Sequence, residues 1–144
     1  MNFVIIGGDA AGMSAASKAK RTMPDLKITV LEKTMDVSYS ACGMPYNIAE
    51  PEREINDLVV RHAQVFKEKQ NINLLTGHCV NHIDPVRKIV EGISKDHQKF
   101  EFPYDKLLIA TGASPIIPDK PGFDLPGVVG LKSLEDGRKI KQFL

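Results

Sequence analysis

The sequence predicts an α/β fold with a parallel sheet, joined to a three-stranded antiparallel meander. Three observations carry this reading. Residues 3–31 run strand, glycine-rich loop, helix, strand, the succession that makes two strands parallel neighbours by a right-handed crossover. Short apolar runs between 79 and 102 alternate with turn formers, as hairpin-linked strands do. The 144 residues are 42% hydrophobic and 26% charged, enough apolar material for one domain with a real core.

Each element follows in chain order. Phe3–Ile6 is an unbroken β-branched and aromatic run, the pattern of a strand buried on both faces. Residues 12–22 are rich in Ala, Ser, Lys and Met and read as a helix that stops before Pro24. Residues 27–31 (KITVL) form the second strand. Residues 36–51 carry turn formers and read as irregular or short helix, and 57–69 show a helical apolar pattern. Residues 72–75 are a third parallel strand, and 79–83, 88–93 and 99–102 are the meander. Residues 106–110 (KLLIA) are another buried strand. Four prolines make 114–127 a loop, 128–131 reads as a final short strand, and 134–144 as a polar helix.

The balance of 19 Lys+Arg against 18 Asp+Glu gives a formal charge of +1, so no net field draws in nucleic acid or an anionic membrane. Two cysteines do not make a secreted disulfide scaffold, the opening apolar run is too short to span a bilayer, and no signal peptide is read. The expectation is a cytoplasmic protein without nucleic-acid or membrane partners. The four histidines show no zinc spacing, so no metal site is expected.

Gly7-Gly8-Asp9-Ala10-Ala11-Gly12 separates the first strand from the first helix. Glycines permit a tight turn and close approach of a pyrophosphate to the helix N-terminus, whose free amides and dipole favour anions. Glu32 ends the second strand 20 residues after Gly12, where an acid accepts hydrogen bonds from an adenosine ribose. Loop, flanking elements and spaced acid together predict a Rossmann-like dinucleotide-binding unit. Asp9 departs from the G-x-G-x-x-G pattern, and its carboxylate would repel a pyrophosphate unless it points away.

Ser38-Tyr39-Ser40-Ala41-Cys42-Gly43-Met44-Pro45-Tyr46 places one thiol among small residues. A lone cysteine ordinarily packs as a small hydrophobe, whereas a thiol beside positive charge or a helix N-terminus ionises and becomes a nucleophile. Position 47 is asparagine, so no second cysteine stands five residues on. Cys79, on a meander strand, is expected to be a core residue. A single thiol has two oxidised forms, a mixed disulfide with an external thiol or a sulfenic acid.

GGDAAGMSAA, LEK, SYSACGMPY and ATGASPIIP, in this order, resemble the N-terminal FAD-binding part of the pyridine nucleotide-disulfide oxidoreductases. The match is to the single-cysteine branch, which includes coenzyme A-disulfide and persulfide reductases, NADH oxidases and NADH peroxidases. The resemblance covers essentially the whole chain. It implies FAD contacts at Gly7, Gly8, Ala11, Gly12, Glu32, Lys33, Val80, Thr111 and Gly112, with NAD(P)H as the hydride donor. It implies Cys42 as the catalytic thiol, and coenzyme A contacts at Ser14, Lys18, Arg21 and Ser38. Ala41 stands where such relatives carry Asn. Family members are about three times longer, with an NAD(P)H-binding domain, a later flavin segment and a dimerisation domain. No second glycine-rich fingerprint follows Gly12, so residues 1–144 read as an N-terminal FAD-binding fragment of a homodimeric enzyme, inactive in isolation. The resemblance leaves open a sulfenate-based oxidase or peroxidase, and a non-catalytic dinucleotide-binding module.

Overall fold

The computed structural model describes every residue, Met1–Leu144, and divides the chain into two compact units. The first comprises Met1–Tyr39 and Arg61–Gly112, the second Ser40–Val60 and Ala113–Leu144.

The first unit is built on β1 (Asn2–Ile6), α1 (Ala10–Thr22), β2 (Lys27–Glu32), α3 (Ala63–Gln70), β3 (Asn73–Thr76) and β7 (Lys106–Ile109), with a meander of β4 (His78–Asp84), β5 (Ile89–Ser94) and β6 (Lys99–Pro103). The intervening helix α2 (Met44–Ala49) belongs to the second unit. Four strands pair in the order β3-β2-β1-β7, all parallel, and the meander forms a separate antiparallel sheet of three. Successive side chains on a strand face opposite ways, and this divides the core in two. Ile5, Ile28, Val30 and Leu74 pack with Met13 and Ala16 of α1 and Phe66 of α3. Val4, Ile6 and Leu31 pack with Val90, Val80, Phe100 and Phe102 of the meander. The parallel sheet is therefore covered by helices on one face and by the second sheet on the other.

Three expectations need correction here. Helix α3 begins at Ala63, not at 57: Ile55–Leu58 is a 3₁₀ turn and Val59 and His62 are extended. The Arg61 amide donates to Ser38 O at 3.3 Å, a long-range bond that holds this stretch out of helix. β7 is an edge strand whose Lys106 and Ile109 are exposed and whose Leu107 and Leu108 are only half-buried against the two cores, so it is not the buried strand expected. Cys79 is exposed rather than core, because alternation along β4 turns His78 and Val80 toward the protein and Cys79 outward.

The second unit joins a 3₁₀ turn at Ala41–Gly43, α2 (Met44–Ala49), the 3₁₀ turn at Ile55–Leu58 and α4 (Leu134–Phe143). A capping box starts α4: the Asp136 amide donates to Ser133 Oγ (3.2 Å) and the Ser133 amide to Asp136 Oδ2 (2.8 Å). Gly137 brings α4 against Ile55, whose Cδ1 would lie 2.9 Å from an added Cβ. Lys141 Nζ donates to the carbonyls of Asn47, Glu50 and Arg53, which satisfies backbone at and beyond the end of α2. Residues 128–131 are not a strand. Val128 and Val129 are exposed, and an apolar run without a ladder partner has nothing to make it one.

Candidate functional site

The loop between β1 and α1 depends on close backbone approach. A Cβ at Gly12 would lie 1.9 Å from Gly7 O, and one at Gly7, where φ is +108°, would lie 2.2 Å from Ala110 O. The first intrahelical bond of α1 runs from the Met13 amide to Asp9 O (2.9 Å), so the amides of residues 10–12 have no partner within the helix. Ala10 and Ala11 are exposed. The start of α1 thus presents free N–H groups and the positive end of a 13-residue helix to solvent.

Glu32 is 8% exposed and held on three sides. Its Oε2 accepts from the Gly8 amide at 2.6 Å, and its Oε1 from the Thr34 amide and hydroxyl, both at 2.7 Å. A carboxylate accepts about four hydrogen bonds, so Oε2 retains capacity for a ligand hydroxyl while its orientation is locked. Thr34 escaped the sequence reading, although its place two residues after the acid was the available signal. Lys33 is exposed beside Glu32.

The Asp9 carboxylate makes no capping bond to α1. Its Oδ1 accepts from the Tyr39 amide at 3.3 Å, so the departure from the glycine pattern has a protein partner. Next to it, the Ser38 amide donates to Gly8 O (3.2 Å), and Ser38 holds a left-handed φ of 51°.

On α1, Gly12, Met13, Ala16 and Ser17 are buried, while Ser14, Lys18 and Arg21 form one exposed stripe. Two cations on that stripe suit an anionic ligand. Val80 packs its side chain into the core at a bulge, where the register shifts between Val80 and His82. Thr111 and Gly112 are exposed after β7, and Gly112 takes φ +67° with open space where a Cβ would stand. The structure therefore gathers all the expected sites except Cys42 into the first unit.

Cys42 belongs to the second unit, exposed on the 3₁₀ turn that leads into α2. Ser40 Oγ lies 3.7 Å from its Sγ, within hydrogen-bonding range for sulfur. The Ser40 amide donates to Leu58 O (2.8 Å) and the Gly43 amide to Ser40 O (3.1 Å), which holds the Ser40 backbone in place. Asn47, five residues after Cys42, is 2% exposed. Its side-chain amide donates to Glu54 O at 3.0 Å, and its Oδ1 accepts from Lys141 at 3.4 Å.

A strand–loop–helix–strand unit with free helix amides and a locked acid at the end of β2 defines a Rossmann-like dinucleotide-binding domain. A family model described as pyridine nucleotide-disulphide oxidoreductase matches residues 1–143, and the chain belongs to that family. The chain is 35% identical over 144 residues to an NADH oxidase of Methanocaldococcus jannaschii, covering 100% of this chain and 32% of that protein. It is 34% identical over 142 residues to a coenzyme A disulfide reductase of Staphylococcus haemolyticus, covering 98% and 32%. The fold matches a solved NAD-dependent persulfide reductase from A. fulgidus with a TM-score of 0.92 and 40% identity, over 99% of this chain and 27% of that one. The chain thus spans about a third of the length of these curated relatives. The family binds FAD and uses NAD(P)H. The residues present fit that cofactor: free amides for a pyrophosphate, a spare acceptor on Glu32, and open space at Gly112.

Proposed function

We propose that residues 1–144 are the FAD-binding portion of an NAD(P)H-dependent flavoenzyme. Its substrate is a low-molecular-weight disulfide or persulfide of coenzyme A, reduced through Cys42. The observation that carries this reading is the exposed Cys42 beside Ser40, with position 47 filled by a buried asparagine instead of a second thiol. Relatives that are a coenzyme A disulfide reductase and a persulfide reductase support it. The whole enzyme adds an NAD(P)H-binding domain and a dimerisation domain and works as a cytoplasmic homodimer. No helix of this chain is long and apolar enough to cross a membrane.

The α1 amides and Glu32 hold the pyrophosphate and ribose, and Gly112 gives the flavin room. Ser14, Lys18, Arg21 and Ser38 bind the phosphates and polar groups of coenzyme A. The Cys42 thiolate attacks one sulfur of the substrate disulfide, forms a mixed disulfide and releases the other half as thiolate. FAD, when bound, would supply the two electrons, drawn from NAD(P)H, and with one proton these would return the second half of the substrate as a thiol. Cys42 returns as thiolate, and the Ser40 hydroxyl donates to it between turnovers.

A visible spectrum of the chain after incubation with FAD and removal of free ligand tests the cofactor. A retained, shifted flavin band is expected, and colourless protein would overturn flavin binding by residues 1–144. Mass spectrometry after exposure to coenzyme A disulfide tests the thiol. One coenzyme A adduct on Cys42, absent in Cys42→Ser, is expected; equal labelling of that variant would remove Cys42 from the mechanism. A second reading, an NADH oxidase or peroxidase acting through a Cys42 sulfenate, is favoured by the NADH oxidase relative. Sulfenate trapping after peroxide, with no coenzyme A adduct, selects it.

A further inference from the structure

We infer that Asp9 is a positioning residue, whose carboxylate latches the Ser38–Tyr39 segment to the glycine-rich loop. Four observations meet here. Asp9 makes no capping bond to its own helix, and its Oδ1 instead accepts from the Tyr39 amide, 30 residues away, at 3.3 Å. The neighbouring Ser38 amide donates to Gly8 O at 3.2 Å, and Ser38 O accepts from the Arg61 amide at 3.3 Å. Ser38 sits at φ 51°, a left-handed conformation that is unfavourable for a non-glycine residue. Tyr39 is 8% exposed, so its amide needs a protein acceptor.

A strained residue persists where its surroundings over-determine it, and consecutive amides bonded to consecutive loop residues do this. A glycine at position 9 offers no side-chain acceptor, so the latch belongs to aspartate. The same bond turns the negative charge toward an amide and leaves the first amides of α1 to an incoming anion. The latch bears on catalysis only through the proposed role of Ser38 at the thiol substrate, on which that part rests.

Amide-resolved hydrogen exchange on the full 144-residue chain, without flavin or substrate, tests the latch directly. Asp9→Gly is the variant of choice, because glycine is tolerated at a helix start, and Asp9→Asn keeps an acceptor oxygen. We expect the Tyr39 amide to exchange about tenfold faster in Asp9→Gly, as loss of about 1.4 kcal/mol implies. Asp9→Asn should stay within about threefold of the wild type, with the amides of β1 and β2 unchanged in all three proteins. Unaltered Tyr39 exchange in Asp9→Gly, or an Asp9→Asn variant as fast as Asp9→Gly, would overturn the latch. Capture of coenzyme A disulfide on Cys42 is measured alongside, slowed in Asp9→Gly and restored in Asp9→Asn. Absence of capture in the wild type strikes the proposed substrate alone, while the exchange result still decides the latch.

Discussion

The first unit spreads its stability over two sheets and two aliphatic cores, whereas the second rests short helical segments on Met44, Ile55 and Leu134, a capping box and one lysine. The contrast separates two ways of supporting chemistry. In the first unit, close backbone packing and the buried Glu32 carboxylate together set the glycine-rich loop. In the second, a few point interactions fix the turn on which Cys42 sits. Damage to the first should therefore be global, and damage to the second local.

The sharpest break is at Gly12. Its hypothetical Cβ meets Gly7 O at 1.9 Å, backbone that has nowhere to move, so Gly12→Ala should destabilise the chain by about 3 kcal/mol and abolish flavin retention. Thermal unfolding followed by circular dichroism measures the first effect, and an unchanged transition would mean that the loop yields. Two leucines, each 0% exposed, then compare the units directly. Leu74→Ala should cost about 3 kcal/mol and lower the main transition, while Leu134→Ala, at about 2 kcal/mol, should loosen α4 first. Hydrogen exchange distinguishes them: faster amides across β1 and β2 in the former, confined to α4 in the latter. Identical exchange patterns would erase the distinction.

The smallest expected effect concerns the capping box, where Ser133→Ala should cost α4 about 1 kcal/mol. Partial burial disfavours the charged form of Asp136. Hydrogen bonds from the Ser133 amide and hydroxyl and the Lys132 amide outweigh this and hold its carboxyl below the ordinary value of 3.8. A depressed carboxyl stabilises the folded state fully above that value, and the contribution is lost as pH falls through and below it. Fraying of α4 on acidification, absent in Asp136→Asn, is the expected outcome by amide exchange.

Local pattern explains what the sequence disclosed. Phe3–Ile6, the glycines and the alanine-rich α1 announce strand, turn and helix within their own few residues, and Glu32 falls where a crossover of that length must end. The remainder depends on partners far along the chain. Val59–His62 is kept out of helix where the Arg61 amide reaches Ser38, and Asp9 finds Tyr39 across 30 residues. Val128–Leu131 has a strand's composition without a strand's neighbour. Cys79 looked like core because the strand was legible while its facing was not.

Asn47 bears on how enzymes of this kind diversify. On the proposed single-thiol reading, gaining a second thiol looks like one substitution, five residues beyond Cys42. In this chain, that position belongs to a buried amide that donates to Glu54 O and accepts from Lys141. Asn47→Cys would strip Glu54 O of its side-chain donor and weaken the hold of Lys141 on α2 before any new disulfide chemistry could be selected. A second thiol at position 47 would therefore cost this chain stability before it could contribute any chemistry.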